Sequence, residues 1–208
     1  MRVMRFAGVL VVAASLSACT AFNVATHRVS GDPVDAPGGT YRADPQHTSV
    51  TFSVDHLGFS RFVARFNEVA ATLEAVPGAP EKSKLDVTIK AASVDTNVAE
   101  LDRMLAGSDF FNAARYPDIR FVSTSIVRTS QGTGEVAGDL TMAGQTHPAT
   151  FTVTFNGAAP DPLTGADKLG FSAEGTLDRS EWGLANWWPA VGNEVRFHIE
   201  AEFTKPES

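Results

Sequence analysis

The chain has 208 residues and a formal net charge of −7, with 43% hydrophobic and 20% charged residues. This length suits one domain with a sizeable core, and the composition is ordinary for a soluble globular protein. Nucleic acid is excluded as a partner, because the acidic balance would repel a phosphate backbone. Phe is over-used, with 14 Phe against 2 Tyr and 3 Trp. Because Phe has no polar tip, this bias favours a dry interior.

The amino terminus has the pattern of a secretory signal. Arg2 and Arg5 form a basic start, Phe6–Ala14 is a short apolar run, and mostly small residues follow. The run is too short for a membrane-spanning helix. It leads into Leu16-Ser17-Ala18-Cys19, which resembles a bacterial lipobox. Residues 1–19 are therefore predicted to be a lipoprotein-type signal peptide; ordinary cleavage nearby, which would leave a soluble periplasmic protein, is the alternative.

Lipidation of Cys19 is favoured because it is the only cysteine and falls where the lipobox requires one. Without a second cysteine, neither an intramolecular disulfide nor a cysteine-based metal site can form. Thr20 follows, and by analogy with Gram-negative lipoproteins the lack of Asp there favours an outer-membrane anchor. Residues 20–39 are rich in Pro, Gly, Asp and small residues, so we expect a flexible tether.

From residue 40 onward the hydrophobic pattern has a period of two. In the last segment, Val195, Phe197, Ile199, Ala201 and Phe203 alternate with polar residues, which predicts a strand with one buried and one wet face. The same alternation, clear or weak, recurs in seven other segments. These are residues 50–54, 62–76, 85–89, 119–128, 134–142, 149–155 and 168–177.

Short connectors with turn residues join these segments: Pro77–Pro80, Gln131–Gly134, Ala143–Thr146 and Asn156–Gly157. Parallel strands would need longer crossovers, so the pattern predicts an antiparallel meander of hairpins. About eight such strands can close into a barrel and remove their edges. The predicted fold is all-β, a single antiparallel eight-stranded barrel over residues 40–208. A two-sheet sandwich is the alternative.

Two connections are long. In the first, Asn97 and Glu100 have the spacing of a capping box, and Gly107 can end the helix that they would start. The second, residues 178–193, contains three Trp. Of these, Trp187 and Trp188 could pin the loop against the barrel, or they could lie at a membrane interface, since Trp favours such boundaries.

Several segments together resemble the YceI-like family of bacterial periplasmic proteins. The likeness runs from about Tyr41 to Lys205 and rests on the order and spacing of its pieces. The resemblance implies an extended, lipocalin-like barrel whose interior binds long apolar molecules, isoprenoid chains and other lipids among them, with no catalytic residues. The segments that carry it are Asp44–Gly58, Ser108–Phe111, Tyr116–Phe121, Gly138–Gly144 and Asp178–Gly183.

A barrel of about eight strands is either filled by its own side chains or holds one small ligand. Both cases demand apolar inward residues, and the family resemblance favours the ligand. His47, His56 and Arg179 are candidates for contacts with a ligand's polar head. For the two histidines we favour the alternative, a hydrogen bond at a strand end; Arg179 could instead cap a turn. The predicted apolar lining is Phe52, Val54, Leu101, Met104, Leu105, Phe110, Phe111, Phe121, Leu140, Met142, Phe151, Phe155, Phe171, Trp182, Phe197 and Ile199.

No enzyme signature is present. The five His show no zinc-hydrolase spacing, and neither a G-x-S-x-G elbow nor a phosphate-binding Gly loop occurs. We expect no catalytic residue, metal or cofactor, but a lipid-anchored periplasmic carrier or scavenger of an isoprenoid quinone, a polyprenyl lipid or a fatty-acid derivative. A filled barrel acting as an envelope interaction module is one alternative, and a hydrolase or isomerase acting on bound lipid is another. The oligomeric state is left open, a homodimer included.

Overall fold

The structure is a computed structural model that describes residues 23–206. Its strands form one antiparallel sheet, and one α-helix, α1 (Ala99–Ala106), lies in the first long connection. Short 3-10 helices occupy Pro33–Asp35, Pro80–Lys82, Ala91–Ser93 and Arg179–Trp182. The strands are β1 (Gly39–His56), β2 (Ser60–Phe66), β3 (Val69–Ala75), β4 (Lys84–Lys90), β5 (Val94–Asp95), β6 (Asp118–Arg128), β7 (Thr133–Met142), β8 (Gln145–Pro160), β9 (Asp167–Asp178) and β10 (Val191–Thr204).

The sheet closes because β1 pairs with β10 as well as with its sequence neighbours. On its other side, β1 pairs with β3 near Gly39 and with β2 from Val50 onward. β2 and β3 are thus two halves of one interrupted strand. β4 and β5 form a second interrupted strand, since β4 pairs with β3 and β5 with β2. Counted this way, the barrel has eight antiparallel strands, so the predicted fold is confirmed and the sandwich alternative is wrong.

The barrel has two distinct ends. At the first, which we call the helix end, β1 finishes at His56 opposite the start of β10 at Val191. The connections that contain α1 and Arg179–Trp182 also lie there. At the second, the strap end, β1 begins, β10 finishes, and residues 30–38 run against the barrel.

Buried side chains form two apolar clusters along the axis. The cluster at the helix end includes the fully buried Trp182 together with Phe66 and Ile119. The cluster at the strap end includes Tyr41 and Leu169, which are also fully buried. Each side chain buried in this way contributes about 1.5–3 kcal/mol to folding, so burial at both ends stabilises the closed sheet.

One predicted turn is wrong. Asn156 and Gly157 lie inside β8, where the pairing with β9 is irregular between Phe155 and Gly157. Gly157 has a φ of +152°, and a Cβ at this position would lie 2.7 Å from Val29 Cβ. The Asn-Gly pair therefore marks a bulge against which the amino-terminal segment packs, not a hairpin. The β8–β9 turn follows at residues 161–166.

The capping prediction for α1 is also wrong in detail. The N-cap position is Val98, which has no side-chain cap. Asp102 serves the turn before the helix instead: its Oδ1 accepts hydrogen bonds from the amide of Thr96 at 2.7 Å and from Thr96 Oγ1 at 2.6 Å. Gly107 ends the helix as predicted, and its amide donates to the Met104 carbonyl at 3.0 Å.

Part of the predicted tether packs on the barrel. Ser30 pairs with Ala158 of β8 through two backbone hydrogen bonds of 2.9 Å. Asp32 Oδ1 lies 3.5 Å from Arg128 Nη2 at the end of β6. The predicted signal peptide, the lipobox and Cys19 lie outside the described residues. Within residues 23–206, no helix is long and apolar enough to cross a bilayer.

Asp161 is a carboxyl at the strap end whose ionised form the fold favours. Its Oδ1 accepts hydrogen bonds from the amides of Leu163 and Thr164, and its Oδ2 lies 3.0 Å from Lys168 Nζ. The Leu163 amide, followed by Lys168, lowers the pKa of Asp161 to about 2. A carboxyl with a pKa lower in the folded than in the unfolded chain stabilises above its ordinary pKa. That stabilisation is lost as the pH falls towards the folded value.

We predict that Asp161→Asn lowers the melting temperature at pH 6 and reduces the loss of stability between about pH 4 and pH 2. The variant keeps an amide oxygen that can accept the two turn hydrogen bonds, but it cannot form the ion pair with Lys168. Thermal unfolding followed by circular dichroism from pH 2 to pH 6 measures the difference. Parallel curves for the variant and the parent would contradict the assignment.

Candidate ligand-binding site

An apolar cavity of about 460 Å³ runs along the barrel axis. Leu101 and Trp187 line it at the helix end, and Pro33 and Ala36 line it at the strap end. The volume falls within the range of about 300–1,000 Å³ that is typical of small-molecule sites. The barrel is therefore not filled by its own side chains, and its free space is elongated.

The walls of the cavity are made by the inward-facing side chains of the strands. Because successive side chains point to opposite faces, every second residue of each strand reaches the interior. All but two of the predicted lining residues line the cavity, either from these walls or from the helix-end connections. Those that line the cavity are Phe52, Val54, Leu101, Leu105, Phe110, Phe111, Phe121, Leu140, Met142, Phe151, Phe155, Phe171, Phe197 and Ile199.

The structure corrects the placement of Met104 and Trp182. Met104 is 46% exposed, because Leu101 and Leu105 occupy the face of α1 that turns towards the cavity. Trp182 is buried behind the wall: its Nε1 donates to the Leu140 carbonyl at 3.0 Å, and its ring packs edge-on against His147. The side chain of Trp182 thus supports the helix end without lining the cavity.

Some wall residues were absent from the predicted site, although the alternation covers several of them. The most informative are small: Ala71, Ala173 and Ala201 all face the cavity. An inward Ala leaves space that a larger side chain would fill. The alternating pattern places Ala201 on the buried face of the last segment, but the free volume around that side chain depends on other strands and cannot be read from one segment.

Phe rings form much of the wall. Phe52 contacts Phe66 and Phe197, with centroid distances of 5.3 and 6.1 Å. Phe151 contacts Phe121 edge-on at 5.4 Å. Tilted and edge-on pairs of this kind are the favoured aromatic geometries. A wall built from them offers few directional contacts, so it can recognise a ligand by shape and apolar area.

Arg179 is buried at the helix end and lines the cavity. Its Nε donates to the Gly192 carbonyl at 2.9 Å, and its Nη2 donates to the carbonyls of Asn186 and Val191, both at 2.9 Å. Nη1 donates to the Leu184 carbonyl. Burial lowers the pKa of Arg179 below its ordinary value, yet a guanidinium stays charged in proteins. Arg179 therefore holds the β9–β10 connection closed over the barrel.

The two candidate histidines are separated by the barrel. His56 lines the cavity at the helix end. His47 lies outside it, in a bulge of β1 between Ala43 and Thr48, and its Nδ1 is 2.8 Å from Asp44 Oδ2. The structure therefore brings His56 and Arg179 to one end of the cavity and leaves His47 on the outer surface.

His47, Asp44 and Glu202 present donor atoms that all lie within 4.8 Å of one another, a spacing that a metal ion could bridge. Lys168 already forms ion pairs with both carboxylates: its Nζ lies 2.9 Å from Glu202 Oε2 and 3.8 Å from Asp44 Oδ2. A cation at this point competes with a metal ion for the same oxygens. We interpret the group as an ion-pair network that fastens the bulge of β1 to β9 and β10.

Three connections meet at the helix end. The Leu57 amide in the β1–β2 hairpin donates to the Ala190 carbonyl at 2.8 Å. The rings of Phe110 and Trp187 pack with centroids 4.6 Å apart, and Asn186 Nδ2 donates to the Asp109 carbonyl. The β1–β2, α1–β6 and β9–β10 connections thus form one cover over this end of the cavity.

A family model for the YceI-like domain matches residues 41–203. The chain belongs to the YceI-like family. This match confirms the resemblance seen in the sequence, and it spans the barrel almost from the start of β1 to the end of β10. Among curated relatives, the UPF0312 protein of Pseudomonas putida strain F1 is 40% identical over 151 residues, which are 72% of this chain and 78% of the relative. That of Pseudomonas fluorescens strain SBW25 is 35% identical over 170 residues, 82% of this chain and 88% of the relative.

Solved structures share the YceI-like fold. The YCEI protein of Campylobacter jejuni is 30% identical, with a TM-score of 0.65 over 74% of this chain and 90% of that one. BcnA of Burkholderia cenocepacia has a TM-score of 0.70 at 22% identity, over 77% and 98% of the two chains. A polyisoprenoid binding domain from Saccharophagus degradans has a TM-score of 0.63 at 11% identity, over 80% and 98%. The last two likenesses concern the fold alone.

We predict that Arg179→Lys destabilises the protein by about 2–4 kcal/mol, because one ammonium cannot serve four carbonyls placed around a planar fork. The midpoint of urea unfolding measures the loss. Arg120→Lys is the matched control, since Arg120 lies on the surface in an ion pair with Asp86 and such pairs contribute little. Equal midpoints for the two variants would contradict a structural role for Arg179.

Proposed function

We propose that the protein is a periplasmic carrier or scavenger that binds one long apolar molecule inside its barrel. The observation that carries the proposal is the elongated cavity of about 460 Å³ with walls made largely of Phe, Leu, Val and Ala. Burial of apolar ligand surface in such a site supplies binding free energy without directional contacts. We therefore expect the length and width of a ligand to determine its affinity more than its polar groups do.

The ligand class we propose is an isoprenoid quinone, a polyprenyl lipid or a fatty-acid derivative. The fold shared with a polyisoprenoid binding domain supports the isoprenoid members of this class. His56 and Arg179 are the polar groups at the helix end that could meet a ligand's head group. Arg179 already donates to four carbonyls. We therefore propose His56, and not Arg179, as the main contact for the head group.

The cellular setting is part of the same proposal. The predicted signal peptide would direct export, and lipidation of Cys19 would anchor the protein in a membrane, with Thr20 favouring the outer one. Such an anchor would keep the barrel next to the bilayer in which an apolar ligand is dissolved. Without lipidation, the same barrel would act as a soluble periplasmic scavenger.

The two rival functions have less support. A filled barrel is disfavoured by the cavity and by inward Ala residues such as Ala71 and Ala173. Turnover of a bound lipid would need polar groups gathered around one point of the cavity. His47 lies outside the cavity, and the donors of Arg179 are engaged with backbone carbonyls, which leaves His56 alone among the three candidate residues. Binding is the function that the described residues support best.

We predict that Ala173→Phe reduces binding of the isoprenoid alcohol geranylgeraniol at least tenfold, because a large ring would enter the middle of the cavity. Thr176→Phe is the matched control: it adds the same ring to the outer face of β9, where Thr176 is exposed. Calorimetric titration of delipidated protein measures both affinities, and circular dichroism verifies that each variant is folded. Equal affinity in two folded variants would contradict binding inside the barrel.

A further inference from the structure

The helix end carries a group of exposed apolar side chains. Phe59 in the β1–β2 hairpin is 87% exposed, and in the β9–β10 connection Trp187 is 45% and Trp188 65% exposed. Leu57, beside Phe59, is also exposed. We call these four residues the apolar tip. Large hydrophobic groups gathered at one place on a surface, unlike single ones, mark sites of interaction.

The two halves of the apolar tip are joined to each other. The Leu57 amide donates to the carbonyl of Ala190, so the hairpin and the Trp-bearing connection are linked by their backbones. Trp187 also packs against Phe110 and lines the cavity. One residue thus belongs both to the exposed surface and to the wall of the candidate site. The tip is therefore continuous with the cavity.

We propose that the apolar tip inserts into the interfacial layer of a phospholipid bilayer and that cargo enters or leaves the barrel at this end. The route of cargo rests on the function proposed above, whereas membrane insertion does not. Trp and Phe are suited to this role, because aromatic rings gather at the boundary between headgroups and acyl chains. An apolar cargo moving there would pass from acyl chains into the cavity with little exposure to water.

The size of the tip favours a bilayer over a second protein chain. Its three aromatic side chains expose roughly 400 Å² in all, taking ~200 Å² for each ring system. A stable protein interface buries about 800 Å² on each partner. A bilayer needs no complementary shape, so a few protruding rings are enough for reversible attachment.

Charges around the tip indicate insertion by apolar burial without electrostatic attraction. Asp55 Oδ1 accepts a hydrogen bond from the Gly58 amide at 3.0 Å, so one acidic group lies directly beside the tip. Arg61, the neighbouring cation on β2, is 4.0 Å from Glu194. The whole chain carries a net charge of −7. Neutral phosphatidylcholine should therefore suffice, and adding anionic lipid should not strengthen attachment.

The test compares two single variants in the mature chain, residues 20–208, which lacks the predicted signal peptide and the proposed lipid anchor in all samples alike. Phe59→Ser alters the tip. Leu163→Ser is the matched control, because Leu163 is 68% exposed at the opposite end, in the β8–β9 turn. Sedimentation with phosphatidylcholine vesicles measures partitioning, and quenching of Trp fluorescence by lipids with brominated acyl chains reports insertion of Trp187 and Trp188.

The expected result is that Phe59→Ser weakens vesicle partitioning roughly tenfold and reduces quenching, while Leu163→Ser matches the parent. Equal partitioning of the two variants would overturn the proposal. So would a dimer in analytical ultracentrifugation that Phe59→Ser dissociates, since the tip would then belong to a second copy. Calorimetric titration with geranylgeraniol in vesicle-free buffer separates the two claims. Failure of all variants to bind it would reject the carrier function but not the insertion.

Discussion

The pairing of β1 with β10 is the interaction on which the rest of the structure depends. It joins the first and last strands of the barrel, from Arg42 opposite Thr204 to His56 opposite Val191. Without it, both strands would present open edges, and the inward Phe residues would face solvent on an open sheet. Closure fixes which side chains point inward and encloses the space between them. It also brings the hairpin after β1 against the connection before β10, where the cover of the cavity forms.

Long strands make an elongated interior possible. β1 has 18 residues and β10 has 14, well beyond the ~5–6 residues of an average strand. Two of the eight strands are interrupted, at Asn67–Glu68 and at Ala91–Ser93; β2 and β3 both pair with β1, and β4 and β5 pair with β3 and β2 in turn. The cavity then persists because small inward residues such as Ala71, Ala173 and Ala201 leave space that larger side chains would fill. The atoms that line an empty apolar space lack dispersion partners on one side. A ligand that fits the space supplies those contacts and should therefore stabilise the fold.

The sequence predicted the features that depend on local pattern. Alternation identified the inward faces of β1, β4, β8 and β10, because one buried face of a strand imposes a period of two. It failed where tertiary contacts decide. Asn156-Gly157 has the chemistry of a hairpin turn, yet the approach of Val29 places Gly157 in a bulge of β8. Asn97 is a residue type that often caps a helix, but the N-cap position is Val98. The turn before the helix is held by Asp102, which accepts a hydrogen bond from Thr96 Oγ1. Arg179 donates hydrogen bonds to carbonyls as far as 13 positions along the chain. No sequence-spacing rule predicts such contacts.

Whether the barrel holds one long apolar molecule can be measured by mass spectrometry of the protein purified from a bacterial periplasm. Spectra under native conditions give the stoichiometry, and an organic extract of the same sample gives the chemical class of what is bound. We expect one isoprenoid or other long lipid per chain. A protein that is empty as isolated, fully stable, and not raised in melting temperature by added geranylgeraniol would contradict this expectation.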